Sequence, residues 1–87
     1  MNAHTSVDKL NQLIELAKNQ VQVGAKYVHY RDLNSPYLVI GIGIQEATEK
    51  PTVIYQKEAG PIWVRDLDSW LEPVSVDGVT VARFQIL

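Results

Sequence analysis

Residues 37–44 read Tyr-Leu-Val-Ile-Gly-Ile-Gly-Ile, and the alternation decides the fold class. Side chains on a strand point to opposite faces in turn, so Leu38, Ile40, Ile42 and Ile44 share one face and Tyr37, Val39, Gly41 and Gly43 the other. A slip of one residue would move the whole set across the sheet. The spacing therefore predicts a strand with Leu38, Ile40, Ile42 and Ile44 directed into a core. The two glycines leave room for a bend or for the close approach of another backbone.

The surrounding segments read as short strands and tight connections. Upstream, Lys26–Tyr30 alternates weakly and Asp32–Pro36 has the composition of a turn. Downstream, Gln45–Pro51 is a polar connection, and Thr52–Lys57 and Ile62–Asp66 form a hairpin across Glu58–Pro61, which contains Gly60. Leu67–Leu71 fits one helical turn. Pro73–Val76 and Val79–Ile86 meet at Asp77-Gly78, a dipeptide that favours a two-residue hairpin turn. The expectation is a mainly β domain, a small SH3-like barrel of five or six strands, closed or nearly so.

Ahead of the strands, Val7, Leu10, Ile14, Ala17 and Val21 recur at helical spacing from about Ser6 to Asn19, with Leu13 and Leu16 widening the stripe. Thr5 followed by Asp8 reads as a variant of the capping box. The chain divides into an N-terminal helical extension, 1–23, and a barrel, 24–87. So large an apolar stripe must be covered on a protein of net charge −2. The expectation is a homodimer whose helices pair or exchange about a two-fold axis. Packing in cis on the Tyr37 and Val39 face is the alternative.

Composition narrows the function classes. With 8 basic and 10 acidic side chains and no basic cluster, the chain lacks the electrostatic footprint of a nucleic-acid binder. No apolar run is long enough to span a bilayer, and Met1–Asp8 is polar with no signal-peptide pattern, so neither a membrane nor a secretory route is expected. The lack of cysteine fits the cytoplasm and removes disulfides and thiolate metal sites. Asp66, Asp68, Glu72 and Asp77 read as solvated surface.

An ordered series runs through the strand region: residues 24–30 read Gly-Ala-Lys-Tyr-Val-His-Tyr, 53–56 Val-Ile-Tyr-Gln, 62–65 Ile-Trp-Val-Arg and 70–72 Trp-Leu-Glu, followed by Val74, Asp77-Gly78 and Arg83-Phe84. From about Gly24 to Leu87 this series resembles the bacterial family of domain of unknown function 1653. The resemblance implies a small SH3-like barrel and no established activity. Asp66 stands where the family usually carries proline, and Trp70 where it commonly shows phenylalanine. The N-terminal helix lies outside the resemblance.

The candidate site residues are His29, Glu46, Tyr55, Trp63, Arg65, Asp66 and Trp70. Gly41 and Gly43 do not make a nucleotide loop, since Glu46 occupies the place of a third glycine and no helix follows. His29 has no second histidine or nucleophile at useful spacing (His4 lies in the N-terminal segment), so neither a metal nor a catalytic residue is expected, and no cofactor. Arg65 and Arg83 have apolar neighbours, where an arginine is more often paired with a carboxylate than left to bind an anion; Glu46 and Glu72 are the expected partners.

Two binding readings remain. The first is a non-catalytic module with an aromatic–acidic groove around Trp63, Trp70, Tyr55 and Asp66, suited to a peptide or protein ligand that is apolar and carries a basic residue. The second is a small enzyme or small-molecule binder built on His29, Glu46 and Arg65. A structural homodimer with no separate ligand is the third possibility.

Overall fold

The fold is taken from a computed structural model that describes residues 5–87; His4 lies outside them. The helix α1 spans Val7–Gln20. Seven strands follow: β1 Lys26–His29, β2 Asp32–Gln45, β3 Lys50–Lys57, β4 Ile62–Asp66, β5 Val74–Val76, β6 Val79–Val81 and β7 Phe84–Ile86, with the short helix α2, Leu67–Leu71, between β4 and β5. The chain is mainly β. Five antiparallel strands pair in the order β4-β3-β2-β1-β7, and β5 and β6 form a separate hairpin. The hydrogen bonds do not join β4 to β7, so the sheet is open where a closed or nearly closed barrel was expected.

The longest strand departs from the sequence expectation at one residue. Val39 faces Tyr55 and Gly41 faces Ile54, so Ile40 is an extra residue in β2, a bulge. It inverts the alternation midway. Val39 is buried in the core and Tyr37 packs against it, whereas Leu38 and Ile40 are each 42% exposed on the opposite face. Beyond the bulge Ile42 turns back to the core and Ile44 is half-buried. The expected inward set is therefore split. β2 also begins at Asp32, since Tyr30 and Arg31 make the turn and His29 pairs with Asp32; the composition of Asp32–Pro36 suggested a turn, but those residues are extended.

The expected strand Val79–Ile86 is likewise divided. Val79–Val81 completes the β5–β6 hairpin, and Asp77 and Gly78 both take positive φ in its two-residue turn (51° and 79°), as Asp-Gly favours. After Ala82 and Arg83 the chain crosses to the sheet, where Phe84–Ile86 pairs with β1.

The helix packs on its own sheet, against β2 and β3. Ala17 and Val21, both fully buried, share one core with Tyr27, Val39, Val53, Tyr55, Leu67, Trp70 and Phe84. Ser6, not Thr5, is the N-cap, its hydroxyl accepting from the Lys9 N–H. Thr5 instead donates from its N–H and hydroxyl to the Glu49 carboxylate (2.8 and 3.0 Å), tying the helix start to the β2–β3 turn. The tyrosine hydroxyl of Tyr27 accepts from Gln22 N–H at 2.9 Å and fixes the other end. A single chain thus seats part of the stripe: Ala17 and Val21 are buried and Leu10, Leu13 and Ile14 half-buried, while Val7 and Leu16 are exposed. Its outward face carries Asp8, Asn11, Gln12, Glu15 and Asn19 beside the exposed Leu16.

Candidate functional site

At the end of the core away from the helix, aromatic rings form a floor. Trp70, carried inwards by α2, stacks on Phe84 with centroids 3.7 Å apart and planes parallel. Tyr55 meets Trp70 edge to face at 5.0 Å, and Tyr37 meets Tyr55 at 5.1 Å. Such edge-to-face pairs add to the area they bury because a ring's positive edge meets a negative face. Trp70 is 3% exposed and Tyr55 6%, so both belong to the core and do not line an open groove.

One cationic side chain, Arg65, rests on this floor. Arg65 lies opposite Val53 in the β3–β4 pairing, so it shares the core face of the sheet. Its guanidinium sits over the Phe84 ring at 5.4 Å, and its Nη1 donates to Ser69 Oγ at 3.1 Å. Its Nε points to the Tyr55 hydroxyl at 3.5 Å, a long contact. His29 lies opposite Phe84 in the β1–β7 pairing and meets that ring edge to face at 5.0 Å. Arg83 precedes Phe84, and its Nε is buried with no hydrogen-bond acceptor among the described residues.

The electrostatics mark one cluster. Burial first, then the fields of Arg65, Arg83 and Arg31, pull the His29 pKa below its ordinary 6.5. The His29 Nδ1 accepts from the Arg31 N–H at 3.2 Å, which places the proton of the neutral ring on Nε2. His29 therefore presents a donor to a neighbourhood already rich in donors.

The expected ion pairs of Arg65 and Arg83 with Glu46 and Glu72 do not form. Among the described residues the ion pairs are Lys18–Glu15 and Lys57–Asp32, both on the surface. Glu46 sits exposed in the β2–β3 turn and Glu72 exposed after α2. The structure brings together His29 and Arg65 and leaves Glu46 outside. Asp66 is exposed as the N-cap of α2, and Trp63 is 50% exposed on β4. Arg31 and the Phe84 floor are the members that sequence reasoning missed as a site, and Arg83 was weighed for an anion but expected in an ion pair. The Arg83-Phe84 dipeptide was visible, but its proximity to His29 depends on the return of β7 to β1. No group of metal-ligating side chains occurs among the described residues, and no helix there is long and apolar enough to cross a membrane.

These features define a small antiparallel β domain with a docked N-terminal helix and an aromatic floor bearing Arg65, which has no ion pair among the described residues. The family pattern described as "Protein of unknown function (DUF1653)" matches residues 25–86, and the chain belongs to that family. A crystal structure of a DUF1653 protein from Bordetella bronchiseptica is similar, with 29% identity over 75% of this chain and 86% of that one, at a TM-score of 0.62. The search of curated proteins gives no match.

Proposed function

We propose that the domain is a non-catalytic binding module, SH3-like in architecture and working in the bacterial cytoplasm, whose ligand is gripped by an anionic group at Arg65, Arg83 and His29. One observation carries the reading: the Arg65 guanidinium and the His29 ring share Phe84, Arg83 directly precedes that ring with a buried Nε, and among the described residues no carboxylate forms an ion pair with either arginine, in a chain that has more acidic than basic side chains. A half-buried guanidinium without a counter-charge is costly unless something supplies one. The buried Arg83 Nε adds a donor that lacks an acceptor. Arg65 is already oriented by Ser69 and Phe84, so little freedom remains to be lost on binding.

A carboxylate, phosphate or sulfate group on a peptide or small molecule has the required chemistry. This reverses the sign of the ligand suggested by Asp66, whose carboxylate stands on the exposed side of α2. Calorimetric titration with sodium sulfate at low ionic strength tests it. Arg65→Gln and Arg83→Gln should each weaken binding by about tenfold or more, with Lys18→Gln unchanged. Equal affinity in all four proteins would reject the site.

A further inference from the structure

We propose that β4 is a homodimer edge, pairing antiparallel with β4 of a second copy about a two-fold axis at Trp63. The inference is independent of the anion site. Among the described residues β4 pairs with β3 alone and forms the edge of the sheet, where one side of a strand presents its N–H and C=O groups without a neighbouring strand. Three consecutive apolar residues on it are exposed: Ile62 at 59%, Trp63 at 50% and Val64 at 62%. Of the usual protections the strand keeps only the charges at its end, Arg65 on the core face and Asp66. The strand has no lysine and no internal proline, and its pairing with β3 runs without a bulge. The opposite edge, β7, is only three residues long and buries Phe84.

The sequence of the edge selects a second copy as the occupant. In an antiparallel pair related by a two-fold axis, facing residues lie on the same face, so the axis must pass through a residue and not between two. An axis at Arg65 sets two guanidinium groups against each other. One at Val64 sets Ile62 against an aspartate, the partner's Asp66. An axis at Trp63 sets Ile62 against the partner's Val64, Val64 against the partner's Ile62, and indole against indole. Every facing pair within Ile62–Val64 is then apolar, and the same three residues supply both halves. The pairing also extends the outer face, where exposed Leu38 and Ile40 continue the apolar surface. On the core face it brings the partner subunit's Trp63 and Pro61 towards the Arg65 side of the aromatic floor.

Sedimentation equilibrium at micromolar concentration decides the matter, using the full chain and three surface variants. Wild type should sediment at twice the monomer mass. Val64→Lys and Ile62→Lys should each sediment as folded monomers, with a urea midpoint lowered only by the lost association. Leu16→Asp, on the outward face of the helix, should remain dimeric. A wild-type monomer overturns the proposal. So does a dimer that survives both lysine variants, or one lost on Leu16→Asp instead. Should either lysine variant unfold, amide hydrogen exchange of wild type replaces it: edge-facing β4 amides must become protected as concentration rises, and concentration-independent exchange rejects the pairing.

Discussion

The two ends of the core differ in what covers them. At one end Ala17 and Val21 of α1 close over Val39 and Val53, and the helix start is tied to the β2–β3 turn through Thr5 and Glu49. At the other end Trp70 of α2 stacks on Phe84, and the same ring carries Arg65 over it and His29 at its edge. The covered end is apolar side chain against apolar side chain, the kind of contact that stabilises a small domain. The open end holds arginine charge that no carboxylate among the described residues pairs with. Stability and binding are therefore separable in this molecule, and substitutions at the two ends should have different signatures.

The largest effect is expected where the ends meet. Trp70 stacks on Phe84 and touches Tyr27 and Tyr55, so Trp70→Ala should lower stability by about 3–5 kcal/mol in urea unfolding. A small loss would mean that the aromatic floor is not part of the core. Next in size is the covered end. Ser6→Ala removes the acceptor for Lys9 N–H and should cost about 1 kcal/mol without changing sulfate affinity. A change in affinity there would couple the two ends.

At the open end the sign should reverse. Arg83→Leu removes a buried donor with no acceptor, and stability should stay level or rise by up to about 1 kcal/mol while sulfate binding is lost. A marked loss of stability would show that Arg83 is held by the fold for its own sake.

The smallest effect is the pH response of His29. Its folded-state pKa lies below 6.5, so on acidification the unfolded chain takes up this proton first. The His29 contribution is thus level above about 6.5, declines as pH falls towards the folded value, and is level again below it. Protonation also removes the Nδ1 acceptor of the Arg31 N–H. His29→Gln should abolish this part of the pH dependence of the urea midpoint; an unchanged profile would assign it to other groups.

Local signals in the sequence carried much of the fold. The helix stripe, the Asp77-Gly78 turn and the single turn at Leu67–Leu71 depend on near neighbours, and the structure has all three. The bulge at Ile40 does not depend on near neighbours. It is a mismatch between two strands, and the alternation of residues 37–44 conceals it because apolar residues occupy both faces around it. The division of residues 79–86 was equally hidden, since Val79–Val81 and Phe84–Ile86 serve different partners while reading as one strand. His29 and Arg65 were recognisable as candidates by residue type. Their company was not: Arg83 reaches them through β7, and Glu46 is held away by the length of β2. Tyr55 and Trp70 looked like ligand contacts because an aromatic suits either a groove or a core, and only burial distinguishes the two.

The account turns on whether the open end takes an anion. Side-chain NMR of the arginine Nε–H groups during a sulfate titration addresses this most directly. The Arg83 and Arg65 Nε–H resonances should move together along one saturable curve, with the His29 ring signals following it and Ala17 and Val21 amides unmoved. Arginine resonances that stay in place, or that drift linearly with salt along with every other surface cation, would contradict the proposed site.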